Sequence, residues 1–134
     1  MRPVAAQATV IVLLNLLIAS VHGLAHRQLG VELELWQWTF VAVVIVAAPV
    51  LAVVLYWTRF RQAGALLLFL SMVGGLLFGA YYHFVIPSPD HVAHLPQGEG
   101  RPLFVGTAIL LVPAEAVGAL FAIWSWRAGG RGLR

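Results

Sequence analysis

Apolar residues run through this chain in four long stretches separated by short polar breaks, with no sustained alternation of the kind a half-buried strand requires. The stretches cover 3–26, 36–58, 62–86 and 103–126. Each exceeds the roughly 20 apolar residues that carry a helix across hydrocarbon, so the pattern predicts four transmembrane helices. The breaks predict the connectivity. "RFRQ" is a very short turn, which makes the second and third helices antiparallel neighbours, whereas 87–102, "PSPDHVAHLPQGEGRP", is the one long connection and is rich in Pro and Gly. The expected fold is all-α, an integral membrane four-helix bundle forming a single domain over 1–134. No internal repeat of the inverted-transporter kind is evident.

Composition sharpens this reading. With 61% hydrophobic and 10% charged residues, the chain has too little polar surface to coat a water-soluble globule, in which about 25% of residues are charged. It is expected in a cell membrane, with the lipid bilayer as its first partner. The run from Val10 to Val21 is long for the core of a cleaved signal and has Asn15 in its middle, so it reads as a span despite the small-residue patch "IASVHG". All eight basic residues are arginine, and no basic stripe or soluble module exists to bind nucleic acid. A cytoplasmic N-terminus places Arg2, Arg59, Arg61, Arg127, Arg131 and Arg134 inside and only Arg27 and Arg101 outside. The positive-inside rule therefore puts both termini in the cytoplasm. Trp36, Trp38, Tyr56, Trp57, Tyr81, Tyr82, Trp124 and Trp126 fall near span ends, as interfacial aromatics do.

Candidate chemistry gathers on one side. The absence of cysteine removes disulfides, thiolate metal sites, iron–sulfur clusters and c-type haem attachment, leaving nitrogen and oxygen donors. All five histidines lie at the outer ends of spans or in the outer loop: His22 and His26 in span one, His83 near the end of span three, His91 and His94 after it. His22 and His26 are four residues apart, so their imidazoles project from one helix face one turn apart, a spacing at which two can hold one metal. With His83 at a similar depth, they form the expected ligand set for copper or zinc, with Asp90, His91 or His94 completing the shell. Metal uptake, sensing or an accessory role follows more naturally than hydrolysis, because nothing pairs a nucleophile with a base. Redox catalysis would require copper or haem.

Other readings use the same residues. Ser71, Gly75 and Gly79 form a nearly side-chain-free stripe ending at His83. Such a stripe allows close helix contact, within the chain or with a second copy or a membrane-protein partner, as in a structural subunit. It would also leave room for haem b held by His83 and His22 or His26, as in an electron carrier. Glu115, halfway along span four, is expensive to ionise in hydrocarbon and matches Asn15 of span one in depth. The expectation is a neutral acid bonded to Asn15 or, alternatively, the carrier of a proton-coupled transporter, with Pro113 loosening the backbone nearby. In size and span number the chain is similar to the small multidrug resistance transporters, which also depend on one intramembrane glutamate. That family carries the acid in its first span, where this chain has Asn15, so no motif transfers.

Overall fold

The computed structural model describes residues 2–130, which are all-helical and contain no strand. Four helices are long and apolar enough to cross a membrane: α1 (Arg2–Leu29), α2 (Leu35–Tyr56), α3 (Arg61–Val85) and α4 (Gly100–Gly130). Arg131 and Arg134 of the charge count lie outside the described residues. Helix α1 packs on α2 and α4, and α3 packs on the same two, so each helix touches its neighbours in sequence. Side-chain bonds mark the two ends. His22 of α1 meets Thr107 of α4 and His83 of α3 at one end; Tyr56 of α2 meets Ser125 of α4, and Trp57 donates to Thr9 of α1, at the other. The bundle is therefore antiparallel, up-down-up-down.

Its outward faces are apolar. Leu13, Leu17, Leu77 and Leu120 are all at least 60% exposed, an arrangement that suits hydrocarbon far better than water. The interior is filled largely by small residues. Ala8, Ala52 and Ala122 are completely buried beside Leu68, allowing the backbones to approach closely. Gly64 marks the tightest approach: a Cβ there would lie 2.9 Å from the Ala52 carbonyl and 3.1 Å from the Tyr56 nitrogen.

Proline and glycine fix the local departures from regular helix. Between Val41 and Ala47, α2 widens into a π-helix, and the Ala48 N–H donates to the Val43 carbonyl five residues back. The next donor in that pattern would be Pro49, which has no N–H. The Val44 carbonyl left over is taken by Ser71 Oγ at 2.7 Å. Ser71 thus serves the chain's own α2. Gly75 behind it is also buried, against Ile45 of α2 and Glu115 of α4. Ser71 and Gly75 of the small-residue stripe thus make close helix contacts within the chain.

Candidate metal centre

The site is built where three chain segments end. Helix α1 stops at Gly30, whose φ of 63° is cheap only for glycine. Its N–H donates to Arg27 O, and the Val31 N–H donates to His26 O, the paired bonds of a Schellman motif. This turn folds Val31 back so that its carbonyl accepts from His26 Nδ1 at 3.3 Å. Helix α3 ends in a second π-helical turn, Tyr81–Val85, which contains His83. It stops at Ile86, whose extended backbone is what the following Pro87 demands. The outgoing loop then doubles back: the Val92 N–H donates to His83 O, and the Asp90 carbonyl accepts from His83 Nδ1 at 3.1 Å.

His22, His26 and His83 converge, all buried, with one ligand atom from each within 4.8 Å of the others. Among the described residues they are the one group of three metal-type donors so placed. His22 Nε2 and His83 Nε2 face each other at 3.2 Å. Two imidazoles on a tetrahedral ion with metal–nitrogen bonds of about 2.0–2.1 Å hold their nitrogens about 3.3 Å apart, so this pair already has the required spacing. Phe104, completely buried at the start of the second turn of α4, packs its ring against all three imidazoles, with centroids 4.5, 4.6 and 5.3 Å from those of His22, His26 and His83.

The far nitrogen of each ring has its own partner, and these partners set the tautomers. His83 Nδ1–H donates to Asp90 O and His26 Nδ1–H to Val31 O, so both rings carry a free lone pair on Nε2. His22 Nδ1 lies 2.8 Å from Thr107 Oγ1, which is itself 2.6 Å from Leu103 O. With its proton on Leu103 O, the Thr107 hydroxyl accepts from His22 Nδ1 and leaves a third lone pair on Nε2. Turned toward Nδ1, it lets His22 Nε2–H donate to His83 Nε2. The gap between these rings is therefore satisfied either by a proton or by a metal ion. Imidazoles braced through Nδ1 by carbonyl or hydroxyl groups are the usual supporting shell of histidine metal sites.

The remaining candidates are placed differently. Asp90 is buried, and its carboxyl lies 3.8 Å from His26 Nδ1. Burial pushes that carboxyl up to about 6. The Asp90 backbone carbonyl braces His83, and the carboxyl is not among the three-histidine group. His91 and His94 pair with each other, centroids 4.8 Å apart, and remain outside that group, with His94 exposed. Their backbone turn follows the loop's return to His83, which directs Asp90 inward and carries the two rings past the site.

Glu115 and Asn15 are both buried, but Asn15 Oδ1 has no hydrogen-bond partner, so the expected bond from the acid to this oxygen does not form. The carboxyl turns instead toward Gly75 of α3, into the space a side chain there would occupy. Glu115 shares a cavity of about 90 Å³ with His22, His26, His83 and Asp90, beside Gly75 and Gly79. That volume holds about three waters at roughly 30 Å³ each. His22 Nε2 and His83 Nε2, 3.2 Å apart, are closer than the roughly 4 Å that two opposed ligand bonds of about 2 Å to a haem iron require, so the pair as it stands suits a tetrahedral ion better than haem b.

Sequence reasoning missed Thr107, Phe104 and the Val31 and Asp90 carbonyls. A signal existed for the first, because Thr107 is the only hydrogen-bonding side chain between Leu103 and Pro113. No known protein-family model, curated protein or solved structure matches this chain.

Proposed function

We propose that this chain is a multi-pass cell-membrane protein with both termini in the cytoplasm that binds a transition metal, copper or zinc, at the outer end of its bundle. His22, His26 and His83 are the ligands. The observation that carries the reading is the convergence of three buried imidazoles, with His22 and His83 nitrogens 3.2 Å apart and every Nδ1 held by an oxygen. A fourth position remains for water, a substrate atom or a transferring ligand, as in open three-histidine sites. The bilayer reading is supported by the apolar outer faces of four helices that are long enough to span. Sidedness is supported by Arg2, Arg59, Arg61 and Arg127 at the end opposite the histidines, against Arg27 and Arg101 beside them. With nothing paired as nucleophile and base, uptake, sensing or delivery of the metal suits the site better than hydrolysis.

The test is elemental analysis and a visible spectrum on detergent-purified protein. The expected result is copper or zinc near one per chain, no Soret band, metal lost in His22→Ala or His83→Ala, and metal retained in His91→Ala and His94→Ala. A folded protein that takes up neither metal when supplied, or that keeps it in His83→Ala, would refute the proposal.

A further inference from the structure

The cavity beside the histidines has a second polar end that the metal reading does not use. Glu115 is 4% exposed and lines the same cavity as His22, His26 and His83. Its carboxyl makes no hydrogen bond or ion pair among the described residues. Gly75 makes room for that carboxyl, since a Cβ there would collide with Glu115 Oε1. Beyond Glu115 the bundle is closed: Met72 and Leu68 are fully buried, and Met72 packs within 2.8 Å of where a Gly118 Cβ would stand. Toward the other end the cavity reaches Leu33 and Asp90, which belong to the two connections on the histidine side. Glu115 therefore stands at the blind end of a passage leading past the metal site.

Its separation from that site follows from helix geometry. Thr107, which touches His22, and Glu115 are eight residues apart on α4, and His83 and Gly75 are eight apart on α3. At 1.5 Å per residue both intervals give about 12 Å. The cavity volume has room for about three waters, and three waters would make four hydrogen bonds of roughly 2.8 Å, a chain of about 11 Å. The passage thus has the length and capacity for a single file of water between the carboxyl and the imidazoles.

We infer that Glu115 is a proton-binding station linked to the metal centre: it holds a proton while the histidines are empty and releases it along the cavity when they take up a metal ion. This inference rests on the metal reading and adds the chemistry that accompanies loading. A single carboxylate among apolar walls is a poor second metal site, since it supplies too few ligands. It is a suitable proton site. The groups facing it across the cavity are His22 and His26 from α1, His83 from α3 and Asp90 from the α3–α4 loop, while α2 presents Trp38 and Ile45, without charge. No fixed cation lines the cavity to hold the carboxylate ionised before metal arrives. A divalent ion about 12 Å away favours loss of the proton by roughly a hundredfold at an effective dielectric constant of about 20. In the step itself, the carboxyl O–H bond breaks, the proton passes to cavity water and out to bulk at the histidine end, and the carboxylate left behind offsets one charge of the metal. Because the passage is closed below Glu115, exchange is one-sided.

Zinc titration calorimetry at fixed pH, in buffers of different ionisation enthalpy, counts protons released per metal. The full chain in detergent should release one more proton than Glu115→Gln, and its zinc affinity should fall about tenfold more steeply per pH unit on acidification. Glu115→Asp keeps a carboxyl and should retain the extra proton, which covers the case in which the Gln variant folds poorly. Equal counts in the wild type and Glu115→Gln, each binding one zinc, would overturn the inference and leave the metal reading standing, as would loss of the extra proton in a folded Glu115→Asp. A wild type that binds no zinc, or a His83→Ala variant that still binds it, would overturn the metal reading and this inference with it.

Discussion

Replacing Thr107 with Val tests the arrangement of the proposed metal centre without touching a proposed ligand. Valine nearly preserves the shape of threonine and deletes the oxygen 2.8 Å from His22 Nδ1. In the metal-bound state His22 must present a bare Nε2, which forces its proton onto Nδ1. Thr107 Oγ1 accepts that proton; valine cannot, and a buried donor without a partner costs about 1–3 kcal/mol. In the metal-free state the ring moves its proton to Nε2 and donates to His83 Nε2, 3.2 Å away, so valine leaves Nδ1 as a neutral acceptor without a partner, a smaller loss than that of an N–H polarised by a bound cation. The larger penalty therefore falls on the loaded form. Zinc affinity should drop roughly ten- to hundredfold, in line with the loss of other supporting hydrogen bonds at histidine metal sites. Without metal the Thr107→Val protein should lose less stability than with it, because the hydroxyl bond to Leu103 O lies within one helical turn and the bare Nδ1 is only a neutral acceptor. Competition against a chromophoric chelator reads the affinity, and a thermal melt with and without zinc separates the two states. Thr107→Ser, which keeps the hydroxyl, should bind like wild type. Unchanged affinity in a folded Thr107→Val protein would refute the reasoning.

Three further substitutions probe the scaffold. Gly30→Ala forces a Cβ onto a φ of 63° and should cost about 1–2 kcal/mol; because the same turn holds Val31 O against His26, metal affinity should fall together with the melting temperature. Gly64→Ala sets a methyl group 2.9 Å from the Ala52 carbonyl and should destabilise the bundle by about 1–3 kcal/mol in a denaturant titration, whereas Gly106→Ala, with open space around it, should be neutral or slightly stabilising. Gly75→Ala drives a methyl into the Glu115 carboxyl and should cost a similar amount, much of it recovered in the double variant with Glu115→Ala; additive losses would show that the two do not share one space.

How much of this was legible in the sequence depends on which coordinate is asked for. Depth along a helix follows from counting residues at 1.5 Å each, so the common level of His22, His26 and His83 could be read directly, and so could the matching level of Asn15 and Glu115. Direction around the helix follows only partly. The four-residue spacing of His22 and His26 fixes their shared face, but which neighbour a side chain meets depends on how the helices cross. Glu115 illustrates the limit: equal depth suggests Asn15, whereas the vacancy at Gly75, on a different helix, takes the carboxyl and leaves Asn15 Oδ1 without a partner.

The supporting shell was illegible for a different reason. Of the oxygens that brace the imidazoles, the Val31 and Asp90 carbonyls belong to the backbone, which every residue has, so no residue type announces them. Their placement is nevertheless written in the punctuation. Gly30 permits the turn that brings Val31 back over His26, and Pro87 ends α3 so that the chain can return to His83. The same holds for Ser71, which reads as one member of a small-residue stripe until Pro49 is seen to orphan the Val44 carbonyl across from it. In a bundle whose interior offers little water to satisfy polar groups, each proline or terminal glycine creates a donor or acceptor that must be met nearby. Following those groups to their partners locates the shell around a histidine cluster more directly than searching the loop for further ligands. Here that search favoured His91 and His94, whose side chains pair with each other beyond the site, over Thr107, which touches it.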